Sequence, residues 1–296
     1  MLAFFVISYD HLPFVSTAGV YFNGIRAVWI IAISVVTCVL SEWIWQKAAK
    51  KPVRVSDLSA AVTGVILAMN LPASVPLWMP VVGGVFAIIL VKQLFGGIGH
   101  NFLNPALAAR AVLLASWPAR MTTFWLPQRV IFQTGAEIGD AVTSATQLSG
   151  SKSFAMLDLF LGNVPGTIGE TCKVAILIGL AIMLISGIVK WHIPVVFIGT
   201  VMIFSLIMGQ DPLTAVLSGG VLFGAVYMAT DYVTNPMLIK GRVIFAFGCG
   251  LIVVLIRNFG NYPEGVTYAI LIMNIVTPLI DKYTKRRIYG EVKKNA

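Results

Sequence analysis

Charged residues are scarce in this chain, and their scarcity argues against a soluble domain. Of its 296 residues only 11% are Asp, Glu, Lys or Arg, whereas 58% are hydrophobic. A globular protein needs polar and charged side chains to cover its surface, but a protein surrounded by lipid does not. The mean hydropathy of +0.88 fits the second case. The composition therefore predicts an integral membrane protein.

Cysteine and histidine are also rare, which limits the chemistry that this chain can perform by itself. The three cysteines, Cys38, Cys172 and Cys249, are dispersed and form no CxxC pair, so iron–sulfur and zinc sites built from this chain alone are not expected. The sequence has no P-loop, dinucleotide fingerprint, HExxH motif or Ser-His-Asp set. We therefore predict no catalytic residue and no metal ligand.

The net charge of +9 comes largely from two basic clusters, at 47–54 and 282–294. Both follow apolar spans directly, as cytoplasmic flanks do under the positive-inside rule. A nucleic-acid partner is not expected, because a basic binding face with interleaved aromatic residues in a soluble domain is missing.

Apolar spans account for most of the chain, and a helix that crosses the hydrocarbon core needs roughly 20 residues. They lie at about 2–21, 27–46, 57–71, 77–95, 103–118, 172–189, 194–209, 213–230, 241–256 and 264–281. We therefore expect an all-α integral membrane protein with about ten transmembrane helices. An even number places both termini and both basic clusters in the cytoplasm and the long break 119–171 outside.

The two halves of the chain resemble each other at an offset of roughly 160 residues. The stretch "GVILAMNLPASVP" (64–76) is similar to "GAVYMATDYVTNP" (224–236). An odd number of spans per half would make these inverted five-helix repeats, with broken helices meeting at the midplane; shared hydropathy is the alternative. The predicted units are a first repeat at 1–118, an extracytoplasmic loop at 119–171, a second repeat at 172–283 and a basic cytoplasmic tail at 284–296.

Polar residues cluster at the breaks, where an ionisable group in the membrane indicates a pathway or a cofactor site. The candidates for an ion or flavin pathway are Asn70, Asn101, Asn104, Asp231, Arg257 and Glu264. Helix capping by the asparagines and by Asp231 is the structural alternative. For Lys92 we favour a side chain that extends to the cytoplasmic interface. For Arg257, at the predicted outer end, we expect an anionic partner.

The segment "GDAVTSATQLSG" (139–150) is small, rich in hydroxyl groups and nearly uncharged. Such clusters between apolar spans are usually loops or helix caps. Its composition alone does not assign it a function.

Several long motifs nevertheless resemble those of one family. They include "AMNLPASVPLWMPVVGGVFAIILVKQLFGGIGHNFLNPALAARAVLL", "LFLGNVPGTIGETCKVAIL" and "MATDYVTNP". The chain resembles, from about residue 24 to 283, the membrane-embedded D subunit of Rnf complexes, which are ion-pumping ferredoxin:NAD⁺ oxidoreductases. The B subunit of the sodium-pumping NADH:quinone oxidoreductase is similar more loosely. One departure is Tyr232, where the family pattern has proline.

The resemblance implies a function for the hydroxyl-rich segment. In the family, a segment of the form D-x-x-[ST]-[GS]-A-T carries FMN, attached through a phosphoester to its last threonine. Here the matching residues are Asp140, Thr143, Ser144, Ala145 and Thr146, so Thr146 is the implied attachment point. The implied partners are the other Rnf subunits, a flavin transferase and Na⁺ or H⁺, and a second, non-covalent flavin such as riboflavin is a further expectation.

The resemblance also implies a location and leaves two other functions open. It places the chain as a multi-pass protein in the bacterial inner membrane, with the flavin loop outside. One alternative is a component similar to the B subunit of the quinone-reducing relative. The other is a channel or transporter with a fold like that of urea or ammonium channels, which would carry no flavin.

Overall fold

The computed structural model describes residues 12–125, 143–144, 156–260 and 265–285, and the described residues are mostly helical. The helices of the first half are α1 (Leu12–Asn23), α2 (Ile25–Ala48), α3 (Ser59–Met69), α4 (Trp78–Gln93), α5 (Pro105–Ser116) and α6 (Pro118–Met121). Those of the second half are α7 (Met156–Leu161), α8 (Lys173–Ile185), α9 (His192–Ile207), α10 (Pro212–Leu217), α11 (Val221–Phe223, continued by a π-helix at Gly224–Met228), α12 (Ile239–Phe259) and α13 (Val266–Thr284).

The predicted spans from 27 to 281 each correspond to a helix or a broken helix, with ends that differ by at most four residues. The start of the predicted first span lies outside the described residues, and α1 covers its second part. Only α2 and α12, among the described helices, are long and apolar enough to cross a membrane by length and composition. Ten crossings therefore stay a prediction, whereas the helical character of the chain is clear.

Two helices, α2 and α9, each pack against several others. The long helix α2 packs against α3 and α4, and α9 packs against α10, α11 and α12. The halves meet where α5 contacts α13 and where α1 contacts α8. A single large cluster of buried apolar side chains extends through both halves, so the two halves share one core.

Each half contains a helix that stops before it could span a bilayer and continues as irregular chain. In the first half α3 ends at Met69 and α4 begins at Trp78, which leaves the first break at residues 70–77. In the second half the π-helix ends at Met228 and α12 begins at Ile239, which leaves the second break at residues 229–238. Irregular backbone at membrane depth is tolerated only where protein or a cavity satisfies its polar groups. The surroundings of these breaks therefore define the candidate sites.

Candidate functional site

A cavity of about 330 Å³ lies between the two halves, beside the second break. Its walls come from α3, the end of α4, the start of α5, the segment after α8 and the second break. The polar side chains among its lining are Ser59, Thr63, Lys92, Asn101, Asn104, Tyr227, Thr230, Asp231 and Tyr232. Three of the predicted pathway residues, Asn101, Asn104 and Asp231, thus lie around one space.

The two asparagines shape the cavity wall through contacts with the backbone. The side chain of Asn104 caps α5 by accepting hydrogen bonds from the amides of Ala106 at 3.1 Å and Leu107 at 3.3 Å. Asn101 donates to the carbonyl of Leu103 at 3.0 Å. Capping, the structural alternative considered for the asparagines, thus describes Asn104, and this cap fixes where α5 starts beside the cavity.

Asp231 is held by its own segment. Its carboxylate accepts a hydrogen bond from the hydroxyl of Thr234 at 3.2 Å and a long one from the amide of Val233 at 3.4 Å. It does not cap the following helix, because α12 begins at Ile239. These contacts stabilise a turn at residues 231–234. The carboxyl group of Asp231 is also part of the cavity wall.

The neighbouring residue, Tyr232, lines the same cavity. Its hydroxyl donates to the carbonyl of Ile188, which follows α8. Tyr232, which stands where the family pattern has proline, therefore adds a hydrogen bond between the second break and the end of α8. Proline cannot form this bond.

The prediction for Lys92 was wrong. The side chain does not extend to an interface; it is 3% exposed and lies within the protein. Its ammonium forms an ion pair with Glu42 of α2 at 2.9 Å and donates to the hydroxyl of Ser59 at 2.5 Å. The physical reason is that Glu42, itself buried, supplies a counter-charge and removes the need for water.

Asn70 belongs to a different site, at the first break. Its carbonyl oxygen accepts a hydrogen bond from the guanidinium of Arg110 at 2.9 Å, and its amide donates to the carbonyl of Ile66 at 2.7 Å. Arg110 also lies 3.6 Å from the carboxylate of Glu170, and both side chains are almost completely buried. The ammonium of Lys173 donates to the main-chain carbonyl of Glu170. A polar, charged cluster therefore fills the space next to the first break.

The chain just before α8 runs along the first break and pairs with it. The amides of Ile168 and Gly169 donate to the carbonyls of Leu71 and Met69 at 3.1 and 2.8 Å, and Pro72 and Thr167 form an antiparallel bridge. These bonds satisfy carbonyls that the end of α3 leaves open. We call residues 163–172 the closing segment. The end of the predicted loop 119–171 is therefore built into the helical core.

Arg257, on α12, contacts the start of the broken helix formed by α10 and α11, whereas Asp231 follows the end of that helix. Its guanidinium donates to the carbonyls of Ala215 and Ser218 at 2.5 and 3.0 Å, at the end of α10. These carbonyls carry the partial negative charge of a helix C-terminus. The anionic partner expected for Arg257 stays a prediction, and Glu264 lies outside the described residues.

Only the middle of the hydroxyl-rich motif is described. Thr143 and Ser144 form a short strand, β2, which pairs antiparallel with β1 at Phe124 and Trp125. Asp140, Ala145 and Thr146 lie outside the described residues.

The strand that pairs with the motif is fixed to the first break. Trp125 lies against the guanidinium of Arg26, 4.9 Å from its ring centroid. Arg26 in turn donates to the carbonyls of Ala73 and Val75, and the hydroxyl of Ser74 donates to the carbonyl of Thr123. The motif is thus tied to the same end of the molecule as the first break.

The described residues bear on the second, non-covalent flavin that the resemblance implies. At the cavity, the hydroxyl oxygen of Tyr227 is buried and has no hydrogen-bond partner among the described residues. A largely apolar cavity with a few polar groups, one of them unsatisfied, is typical of a cofactor site.

Sequence reasoning missed the partners of two buried ion pairs. Glu42 lies in an apolar helix, and Glu170 lies in the glycine-containing stretch "GTIGETC". An acidic residue in such surroundings indicates a buried cationic partner, because an isolated carboxylate at membrane depth costs much free energy. Their partners, Lys92 and Arg110, are 50 and 60 residues away along the chain, and local pattern does not reveal such distant pairing.

Comparison with known proteins decides the family. The profile of the NQR2, RnfD, RnfE family matches residues 8–290. The chain belongs to this family. The recognition made from the motifs is thereby confirmed.

The most similar relatives include D subunits of three ion-translocating complexes. The D subunit of the Na⁺-translocating ferredoxin:NAD⁺ oxidoreductase complex of Acetobacterium woodii is 49% identical, over 96% of this chain and 90% of that protein. The D subunit of the proton-translocating ferredoxin:NAD⁺ oxidoreductase complex of Clostridium ljungdahlii is 40% identical, over 92% and 86%. The D subunit of the ion-translocating oxidoreductase complex of Stutzerimonas stutzeri is 37% identical, over 92% and 87%. The match therefore extends over nearly the full length of each protein.

Proposed function

We propose that this chain is the D subunit of an Rnf-type complex in the bacterial inner membrane. In that complex, electron transfer between ferredoxin and NAD⁺ drives the translocation of Na⁺ or H⁺. The observation that carries the proposal is the near full-length similarity to proteins named as this component. The partners are then the other subunits of the complex, and the chain acts as part of that enzyme and not alone.

We further propose that Thr146 carries FMN through a phosphoester. The support is the motif Asp140–Thr146 and the strand pairing that ties Thr143 and Ser144 to the first break. A threonine hydroxyl is a weak nucleophile, so a flavin transferase must direct it against the phosphoanhydride of FAD, forming the phosphoester and releasing AMP. The attached flavin supplies the electron-transfer chemistry, and the chain positions it.

The test is denaturation-resistant flavin fluorescence, with the intact mass of the chain measured alongside. Thr146→Ala should abolish the fluorescence and the mass increment of one FMN less water, while the chain still inserts. Thr143→Ala is the matched control and should keep both signals. Asp140→Ala should reduce flavin attachment without abolishing it. A full signal from Thr146→Ala would refute the attachment site. A wild-type chain without covalent flavin, made together with a transferase, would favour the channel alternative.

A second flavin, without a covalent bond, is proposed for the cavity between the halves. The support is its volume of about 330 Å³ and the unsatisfied hydroxyl of Tyr227 on its wall. Asn101, Asn104 and Asp231 would contribute the polar contacts. Purified complex should release one flavin per copy of this chain on acid precipitation, in addition to the covalent one. Filling the cavity by Thr63→Trp should remove that flavin and leave the covalent flavin in place.

The proposed topology is an inverted pair of five-helix repeats with the flavin loop outside. It is supported by the corresponding packing of α2 and α9 and by the basic clusters, which favour the cytoplasmic face. In a variant without the three native cysteines, an impermeant thiol reagent added outside should label Ser153→Cys. Lys51→Cys, in the basic loop, is the control that should require permeabilisation. The reverse result would invert the topology.

A further inference from the structure

The ion pair between Lys92 and Glu42 is asymmetric with respect to the cavity. Lys92 lines the cavity, whereas Glu42 lies behind it on α2 and is not part of the wall. Of the two partners, the positively charged residue is therefore the one that borders the cavity. In a region that excludes water, a fixed charge acts more strongly on a ligand than it would in solvent.

Both partners of the pair are held in place. The ammonium of Lys92 is fixed by Glu42 at 2.9 Å and by the hydroxyl of Ser59 at 2.5 Å, and that hydroxyl donates to Asp57 at 2.7 Å. Glu42 also accepts a hydrogen bond from Gln93 at 2.6 Å. Lys92 and Gln93 belong to the π-helical end of α4, a distortion that is frequent at functional sites.

Another part of the cavity wall carries a carboxyl group. Asp231 of the second break lines the same space, and its described contacts come from its own turn. A ligand that reaches both residues meets an ammonium group at Lys92 and a carboxyl group at Asp231. Such a site orients a planar ligand that has acceptors on one edge and donors elsewhere.

We propose that the Lys92–Glu42 pair makes the cavity select the reduced form of its flavin, with the acceptor edge of the ring directed toward Lys92. This inference rests on the proposed non-covalent flavin. A flavin that gains two electrons and one proton carries a negative charge on its ring system. The ammonium of Lys92 stabilises that charge, and Asp231 opposes it. The pair thus sets the redox preference of the site and acts as a positioning element.

The experiment uses the full chain in lipid nanodiscs, produced without a flavin transferase so that Thr146 stays unmodified. The probe is riboflavin, which has no phosphate that could contact a lysine. Its dissociation constant is measured for the oxidised form by fluorescence quenching. The reduced form, kept with dithionite under anaerobic conditions, is measured by ultrafiltration. The quantity of interest is the ratio of the two constants, reduced over oxidised.

Lys92→Met should raise this ratio by about tenfold or more, equivalent to about 1.4 kcal/mol, with little change in the binding of oxidised riboflavin. Lys92→Arg keeps the charge and should leave the ratio close to the wild-type value. Asp231→Asn should lower the ratio, because it removes the opposing charge. Lys190→Met is the matched control, since Lys190 is an exposed lysine near the cavity that does not line it; it should leave the ratio unchanged.

Lys92→Met leaves Glu42 without its counter-charge, so this variant can fail to fold. The double variant Glu42→Gln/Lys92→Met removes both charges and should fold, bind oxidised riboflavin and have a higher ratio than wild type. An unchanged ratio in both Lys92→Met and the double variant, or in the double variant alone when Lys92→Met does not fold, would overturn the inference and leave the second flavin intact. Absence of riboflavin binding to the wild-type chain would overturn the second flavin and this inference together.

Discussion

The two breaks begin from a similar sequence pattern and have different surroundings in the described structure. At the first break the closing segment donates hydrogen bonds to Met69 and Leu71, and Arg110 binds Asn70. At the second break Asp231 and Tyr232 line a cavity. A half-helix end exposes polar groups that need partners. The first break obtains its partners from the closing segment and Arg110, which suits a structural role. The second obtains some from α13, where Thr277 donates to the carbonyl of Thr234 and Asp281 accepts from the amide of Met237, and it also faces a space in which a ligand can supply others.

The largest expected effect is at the cluster of the first break. Arg110→Met removes the guanidinium that binds Asn70 and lies beside Glu170. Breaking a buried pair by removing one partner is expected to destabilise a protein by about 3–5 kcal/mol, because the other charge stays buried. We expect little folded protein, measured as monodisperse yield and by thermal unfolding in detergent. Arg110→Met/Glu170→Met, which removes both charges, should recover part of the loss. Wild-type stability of the single variant would show that the first break does not depend on this cluster.

A smaller effect is expected where the closing segment touches α3. A Cβ atom at Gly169 would lie 2.8 Å from the Cβ atom of Met69 and 3.0 Å from its carbonyl oxygen. Gly169→Ala should therefore destabilise the protein by about 1–3 kcal/mol through overpacking. Gly199→Ala is the matched control, because that helical glycine has open space around its Cβ position. The control should be neutral or stabilising in the same unfolding assay. Equal effects of the two variants would mean that the closing segment is not tightly packed.

Asp231 tests whether the second break has a function apart from stability. Because its partners belong to its own turn, Asp231→Asn should change the free energy of unfolding by less than about 1 kcal/mol. It should leave flavin attachment at Thr146 intact and slow ion-coupled turnover of the assembled complex. Asp231→Glu should be milder if the charge is what matters. Unchanged ion uptake per electron in vesicles containing Asp231→Asn would reduce Asp231 to a turn-forming residue.

The positions of the helices could be predicted from the sequence, but their polar pairing could not. Apolar runs of sufficient length gave the helix bounds, since every backbone group in lipid must be satisfied within a helix. The closing segment has no such run. Its place depends on hydrogen bonds to residues about a hundred positions earlier, and no local pattern encodes that pairing. Lys92 was mispredicted for the same reason, because its partner is on another helix.

The smallest expected effect concerns the start of α10, outside the two breaks. Asp211 caps this helix by accepting hydrogen bonds from the hydroxyl and the amide of Thr214 at 2.5 and 2.8 Å. These bonds, the side-chain one first, hold the pKa of the Asp211 carboxyl below its ordinary value. A lowered pKa in the folded state means stability that is present above the ordinary carboxyl pKa and lost as the pH falls through the lowered value.

The Asp211 cap should therefore stabilise the protein slightly at neutral pH and less in acid. Asp211→Ala should lower the thermal midpoint a little at about pH 7 and by less near pH 3, below the ordinary Asp pKa of about 3.9. Asp211→Asn keeps a capping oxygen without a titrating group, so its difference from Asp211→Ala should not change with pH. Because α10 leads into the helix that ends at the second break, a large effect of Asp211→Ala on flavin binding in the cavity would show that this break also depends on contacts at its far end. The second break would then be positioned by contacts at a longer distance than its own turn.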